Sequence, residues 1–202
     1  MLRWGLLTLL CVINLLNYMD RYILPAVLPQ IQTEFALSDF WGGLPAPAFI
    51  VMYMLAAPVF APLGDRWRRG PLVAMGVALW SAATVGTGLA RSYGQLLTAR
   101  ALVGIGEASF GTVGPTLIAD AFPPERRGMM LSIFYMAIPV GSAFGYLIGG
   151  LVGEAWGWRA AFYVAGPPGL LLAAAAWALR EPARPARSGP PAPPLGTRAA
   201  FR

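Results

Sequence analysis

The chain has 202 residues, of which 57% are hydrophobic and only 12% are charged, whereas soluble domains carry about 25% charged residues. Its basic residues are all Arg, it has no His, and its single cysteine is Cys11. These features exclude a disulfide within the chain and a Cys/His zinc site. In a soluble protein the net charge of +6 would suggest nucleic acid. Here the Arg residues lie mostly between hydrophobic segments, which favours the lipid bilayer and not nucleic acid as the partner.

Six hydrophobic segments follow one another along the chain. The length of each is near the value needed for a helix to span a bilayer, which is about 20 residues. They are too long and alternate too poorly for barrel strands, so we expect helices. We place them near 4–30, 41–63, 71–90, 95–119, 129–152 and 159–179. The first is longer than the apolar core of a signal peptide, about 7–15 residues, and lacks a small-residue cleavage site.

This pattern predicts an all-α membrane protein with a six-helix transmembrane bundle over 1–180. The Pro/Arg-rich segment 181–202 is expected to be a disordered tail or the start of a loop. If the amino terminus is cytoplasmic, eleven Arg residues fall on that side, and only Arg91 and Arg159 fall on the other. Basic loops stay in the cytoplasm, so we expect a multi-pass inner-membrane protein with both termini cytoplasmic.

The first helix carries charge inside an apolar segment. Asn17 and Arg21 share a helical face, with Asp20 beside them. A charge at the bilayer centre costs about 2.5–3.5 kcal/mol on insertion scales, so such residues are candidates for function. Asp20 and Arg21 project about 100° apart and are expected to find partners on other helices. Pro25 frees the carbonyl of Arg21, which makes a kink here a candidate moving part. The alternative, a helix end in the interface, is opposed by the apolar run 23–29.

The fourth helix carries Arg100 and Glu107 on one face, with Gly104 between them. The two charges are two turns apart, about 10 Å by helix rise, and need not touch. The small residue between them leaves room for a ligand or a close helix. Glu107 is a candidate proton carrier, because protonation removes a charge that lipid disfavours. The alternative is a purely structural set of buried ion pairs with neighbouring helices.

Two further patterns concern loops and packing. In the loop between the second and third helices, Asp65 precedes Arg66 and Arg69, and it can cap a helix or pair with Arg126 or Arg127 of the next loop on that side. We expect these five residues to latch one conformation. The fifth helix has small residues at every fourth position, a pattern that allows close helix packing. We expect a partner helix along most of the bilayer, which can come from outside this chain, against Ala137, Gly141, Gly145, Gly149 and Gly153.

Several of these segments resemble the major facilitator superfamily of transporters. Ala61 replaces the first Gly of the superfamily's loop signature, and Arg68 replaces its later Gly. The segments that carry the resemblance are 64–69, Arg100 with Gly104 and Gly106, 124–128 and 157–162. Three more segments, 14–21, 104–109 and 131–142, look like the spinster branch, which is implicated in export of sphingolipids and lysophospholipids. The resemblance covers nearly all of residues 4–180.

The resemblance implies a twelve-helix fold of two six-helix halves, of which this chain is the amino-terminal half. The substrate would bind between the halves and be exposed alternately to each side. Asp20 and Glu107 would be proton-linked acids, and Arg100 would orient an acid or bind an anionic head group. The cytoplasmic gate would be formed by Asp65, Arg66, Arg69 and Arg127. A carboxy-terminal half or a second copy would be needed to enclose the site.

The leading hypothesis is a secondary transporter, coupled to protons, of an organic or lipid-like amphipathic substrate. The alternative is a truncated remnant that does not transport, or an assembly partner in the membrane. No nucleophile–base pair or metal-ligand cluster stands out in the sequence, so an enzyme is not expected. There is no Gly-x-x-x-x-Gly-Lys loop for ATP, and no cofactor is predicted.

Overall fold

The computed structural model describes residues 2–179 and residue 181, and in this part of the chain every regular element is a helix. The helices are α1 (Leu2–Phe35), α2 (Asp39–Gly43), α3 (Pro45–Arg66), α4 (Arg69–Leu89), α5 (Tyr93–Ala121), α6 (Pro124–Tyr135), α7 (Ala137–Trp156) and α8 (Trp158–Trp177). Six spans are long and apolar enough to cross a membrane, with α2–α3 and α6–α7 each forming one. The predicted all-α fold with six transmembrane segments is confirmed. The predicted tail lies outside the described residues apart from Glu181.

The second and fifth spans are each interrupted, which the sequence analysis did not predict. Pro45 begins α3 and has no N–H to donate to the carbonyl of Trp41. That carbonyl instead accepts from the N–H of Leu44, at 3.3 Å, and from the hydroxyl of Tyr93. In the fifth span the break falls at Met136, one turn before Pro139, which likewise lacks a donor. By contrast, α1 continues through its two prolines to Phe35, five residues past its predicted end.

The bundle is built around α4 and α5, which hold the largest share of buried residues. α4 packs against α5 and α8, α5 packs against α3, and α1 packs against α7 and α8. The ring of Trp4 near the start of α1 contacts Phe122 at 5.6 Å between centroids. The N–H of Gly70 donates to Oε1 of Glu181 at 3.0 Å. The start of α1, the α3–α4 and α5–α6 joints and Glu181 therefore lie together, and we call this the terminal end of the bundle.

The glycine stripe of α7 packs directly on α1, so its partner helix lies within this chain. All of its glycines are buried. A Cβ added at Gly141 would lie 2.6 Å from the carbonyl oxygen of Leu15, and one at Gly149 would lie 2.6 Å from Cβ of Ala26. At distances this short, the hydrogen atom of a glycine fits against α1, but a Cβ atom does not. The stripe therefore fixes how deeply α1 is seated in the bundle, and α1 carries Asp20 and Arg21.

A test of this packing is the substitution Gly145→Ala. The added methyl group would meet Cβ of Tyr22 at 2.8 Å, together with the carbonyl of Met19. Both atoms are held by the α1 backbone, so we expect a loss of about 1–3 kcal/mol in the free energy of unfolding. Gly150→Ala is the matched control, because a Cβ there meets nothing within 4 Å and Ala favours the helix by about 0.5–1 kcal/mol. Thermal unfolding in detergent checks both variants, and equal melting temperatures would contradict the proposed packing.

Candidate functional site

A cluster of four charged side chains lies in the interior of the bundle, between α1 and α5. Asp20, Arg100 and Glu107 are 3%, 2% and 1% exposed, and the side chain of Arg21 is 31% exposed. The α1 and α5 backbones approach each other closely at few points, so the long side chains bridge the space between them. The structure thus brings together the four charged residues that the sequence analysis singled out in these two helices.

The four charges pair crosswise between the helices. Nη2 of Arg21 donates a hydrogen bond to Oε2 of Glu107, while Nη1 of Arg100 lies 3.7 Å from Oδ1 of Asp20. Consecutive residues of α1 point in directions about 100° apart, so they reach groups two turns apart on α5. The expectation that Asp20 and Arg21 find partners on other helices is confirmed. Two acids and two guanidinium groups also leave the cluster with no net formal charge.

A third helix contributes a hydroxyl that the sequence analysis missed. Oγ1 of Thr84, on α4, donates to Oδ2 of Asp20 at 2.8 Å. The same hydroxyl lies 2.9 Å from the carbonyl of Trp80. Its single hydrogen can therefore be donated either to Asp20 or to Trp80. Asp20 is thereby held by α4 and α5 at once. No sequence signal marks Thr84, because a threonine in an apolar helix ordinarily bonds its own backbone.

Phe49 of α3 is a second residue that the sequence analysis missed. The guanidinium carbon of Arg21 lies 4.7 Å from the centroid of the Phe49 ring and 4.8 Å from that of Tyr18. The guanidinium carbon of Arg100 lies 6.0 Å from the same Phe49 ring. Aromatic faces attract cations at these distances. Phe49 therefore lies beside both guanidinium groups, although in the sequence it is one apolar residue in an apolar run.

Several polar atoms of the cluster have hydrogen-bonding capacity to spare among the described residues. No hydrogen-bond partner is found for Oε1 of Glu107, Oδ1 of Asp20, Nε and Nη1 of Arg100 or Nδ2 of Asn17. Asn17 is buried one turn before Arg21 on α1, so the last of the predicted interior residues also lies in this region. Buried polar groups ordinarily have partners. The two carboxylate oxygens can therefore bind a proton, and all of these atoms are positioned to bind water or a polar group of a ligand.

A cavity of about 450 Å³ adjoins the cluster, a size within the usual range of about 300–1,000 Å³ for ligand sites. Arg21 and Arg100 line it on one side. The remaining lining comes from α1, α2 and α3 and is largely apolar, including Leu24, Pro25, Leu28, Pro45, Phe49 and Ile50. The cavity thus joins two cationic groups to an apolar surface, an arrangement that suits an amphipathic molecule with an anionic group.

A separate ion pair lies at the terminal end. Arg69, buried at the start of α4, donates through Nη1 to Oδ2 of Asp120 on α5 at 2.6 Å, with Oγ1 of Thr116 at 3.4 Å. The sequence analysis assigned Arg69 to a latch but did not name Asp120 as its partner. This pair joins α4 and α5 at the terminal end. Thr84 lies about four turns further along α4 than Arg69, and Glu107 lies about four turns before Asp120 on α5. The pair is therefore distinct from the central cluster.

The other predicted latch residues also lie at the terminal end, in the last turn of α3 and the first turn of α6. Nε of Arg127 donates to the carbonyl of Phe122 at 3.1 Å, and exposed positions are occupied by Asp65, Arg66 and Arg126. The pairing of Asp65 with Arg126 or Arg127 stays a prediction. The structure therefore brings the five residues to one end of the bundle but ties the buried one, Arg69, to α5.

The substitution Thr84→Val tests the hydrogen bond to Asp20. It keeps the shape of the side chain but removes a donor from a buried carboxylate, which we expect to cost about 1–3 kcal/mol of stability. Thr87→Val is the control. Thr87 is equally buried, and its hydroxyl donates to the carbonyl of Ala83 in its own helix at 3.0 Å. Thermal unfolding in detergent should show the larger loss for Thr84→Val. The same loss for both variants would mean that Thr84 does not hold Asp20.

Comparison with known proteins agrees with this architecture. The model of the Major Facilitator Superfamily matches residues 10–202. The chain is 46% identical to human "Protein spinster homolog 1" over 185 residues, which are 89% of this chain and 35% of that protein. It is 44% identical over 146 residues to the zebrafish "Sphingosine-1-phosphate transporter SPNS2", covering 71% of this chain and 29% of that one.

The structure superposes on that of a bacterial homolog of the human lysosomal transporter Spinster, in an inward-facing and occupied conformation. The TM-score is 0.82 and the identity 33%, over 91% of this chain and 45% of that one. The chain thus spans about a third of the length of the curated relatives named above and less than half of the bacterial protein. It is a multi-pass membrane protein that belongs to the major facilitator superfamily, within the spinster branch.

Proposed function

We propose that this chain is the amino-terminal half of a secondary transporter that moves an amphipathic, lipid-like substrate in exchange for or together with protons. The observation that carries this proposal is the crosswise set of ion pairs, buried in the bundle and open at Arg21 to the adjoining cavity. Charged groups within membrane spans that face a cavity are typical of substrate and ion pathways. The name of the zebrafish relative, a sphingosine-1-phosphate transporter, is in keeping with this substrate class.

The lining of the cavity supports an amphipathic anion as the substrate. Arg21 and Arg100 offer guanidinium groups for a phosphate or carboxylate. Beyond them, Leu24, Leu28 and Ile50 provide apolar surface for a hydrocarbon chain. In this arrangement the head group binds at the bilayer midplane and the chain extends along α1 and α3.

The charge balance of the cluster supports the proposed coupling to protons. An anionic substrate that pairs with Arg21 competes with Glu107 for that guanidinium group. Glu107 is then left as a buried carboxylate without its counter-ion, a costly state that protonation removes. Asp20 keeps the hydroxyl of Thr84 and shares Arg100 with the substrate. We therefore assign the coupling proton to Glu107 and a mainly positioning role to Asp20.

The proposed transporter needs a second six-helix unit, either a carboxy-terminal half or a second copy. The faces of α3 and α7 carry large exposed apolar side chains, among them Met54, Leu55, Phe144 and Leu147, and can pack against such a unit. By the positive-inside rule, the excess of Arg at the terminal end supports a cytoplasmic location for both termini, which is part of the proposal. The Arg69–Asp120 pair then belongs to the cytoplasmic gate of an inner-membrane protein.

Proteoliposomes loaded with a fluorescent lysophospholipid test this function. The chain alone is compared with the chain co-reconstituted with a matching second six-helix unit, with and without a pH gradient. We expect transport driven by the gradient only when two six-helix units are present. Transport by the chain alone would identify a second copy as the partner. No transport in either sample, with the protein folded, would overturn the proposal in favour of a module that does not transport.

The substitution Glu107→Gln tests the assigned proton site. Glutamine is neutral and resembles the protonated acid, so we expect accumulation driven by the gradient to fall to the level without a gradient, while substrate binding persists. Glu154→Gln, at an exposed position of α7, is the control and should behave as the parent protein. Proton-dependent transport that survives Glu107→Gln would rule out this assignment.

A further inference from the structure

A second recess lies on the outer surface of the bundle, away from the charged cluster. It has a volume of about 720 Å³ and runs between α4 and α5 at the end opposite the terminal end. Its lining includes small residues, among them Ala82, Gly86 and Gly94, and the larger side chains of Leu79 and Leu102. We call it the α4–α5 groove. It lies on a different face of α5 from Arg100, and nothing in the proposed transport cycle uses it.

The length of the groove matches one leaflet of a bilayer. It begins at the α4–α5 turn near Ala90 and extends to Leu79 and Leu102. From Leu79 to Leu89 there are ten residues of α4, which rise about 15 Å at 1.5 Å each. The hydrocarbon core is about 30 Å thick, and a turn between two spanning helices lies at its edge. The groove therefore runs from the head-group region to the midplane.

Two of the polar residues that line the groove, Ser92 and Gln95, lie at its mouth, and the hydroxyl of a third, Thr98, donates to the carbonyl of Gly94. Arg91 is exposed at the turn, and among the described residues no ion pair or hydrogen bond of its guanidinium group is found. Oε1 of Gln95 accepts from the N–H of Arg91 at 2.8 Å, and the amide nitrogen of Gln95 remains available as a donor. Oγ of Ser92 accepts from the N–H of Gln95 at 3.3 Å and keeps its own hydrogen to donate. These are donors suited to a phosphate.

We infer that the α4–α5 groove binds a phospholipid of the surrounding bilayer, with an acyl chain along the groove and the phosphate at Arg91, Ser92 and Gln95. A transmembrane helix of a partner would require a contact surface across the whole bilayer, and the groove ends at half that depth. A single acyl chain fits both the depth and the apolar lining. The positive mouth complements the anionic head group.

The inference is tested by filling the groove. A Cβ added at Gly86 meets nothing within 4 Å, so Gly86→Leu begins in open space and is expected to occupy the groove. Gly150→Leu is the matched control, because Gly150 lies mid-helix on α7 with the same open space and outside the groove. The purified protein is stripped of lipid, titrated with phosphatidylglycerol, and the bound lipids are counted by native mass spectrometry. We expect one lipid fewer on Gly86→Leu than on the parent protein and on Gly150→Leu.

Two further experiments distinguish binding of the acyl chain from binding of the phosphate head group. Ala82→Leu fills the groove from another exposed position and should also lose the lipid, which keeps the test valid if Gly86→Leu fails to fold. Arg91→Gln should weaken phosphatidylglycerol binding about fivefold, as expected for one Arg at a lipid head group, and leave diacylglycerol, which has no phosphate, unchanged. Equal lipid counts on the parent protein and both filled variants would overturn the inference, whatever the transport assay shows.

Discussion

The crosswise pairing of two acids with two guanidinium groups is the interaction on which the centre of this structure depends. Asp20 and Glu107 are almost fully buried, as is Arg100. In the low dielectric of a membrane protein, removing one partner leaves an uncompensated charge, which costs far more than the intact pair contributes. The seating of α1, the hydroxyl of Thr84 and the ring of Phe49 all serve to keep these charges in register.

That register is set by backbone packing as much as by charge. The glycines of α7 bring α1 so close that added methyl groups would meet its carbonyl oxygens. Since α1 cannot rise or rotate without losing this contact, Asp20 and Arg21 keep their directions toward Arg100 and Glu107. The glycines of α7 carry no reactive group, but their packing thereby positions the charged side chains of α1. For the proposed transport cycle, this implies that α1 and α7 move as one body.

The two faces of α5 present different surfaces to different surroundings. Arg100 faces the interior cavity, where cations meet an apolar wall. Leu102, two residues later, lines the groove on the outer surface. We expect the interior cavity to bind the transported substrate and the groove to bind a lipid of the bilayer. One helix thus serves both sites because successive residues project around its whole circumference.

The number and type of the spans, and the charged residues inside them, could be predicted from the sequence. The reason is that lipid penalises both exposed backbone and unpaired charge. Asp20, Arg21, Arg100 and Glu107 were therefore visible as charges in apolar runs. Which acid meets which base was decided only by the tertiary structure, because the pairing depends on the relative rotation and height of α1 and α5.

The same distinction applies to the residues that the sequence analysis missed. Thr84, Phe49 and Asp120 are ordinary residues for their helices, and only the neighbours that the fold brings to them give them a role. The glycine stripe of α7 likewise predicted a close helix contact, but not that the contact would be with α1. Local composition determined what each segment can do in a bilayer. Packing between segments that are distant in the sequence decided which partner each segment contacts.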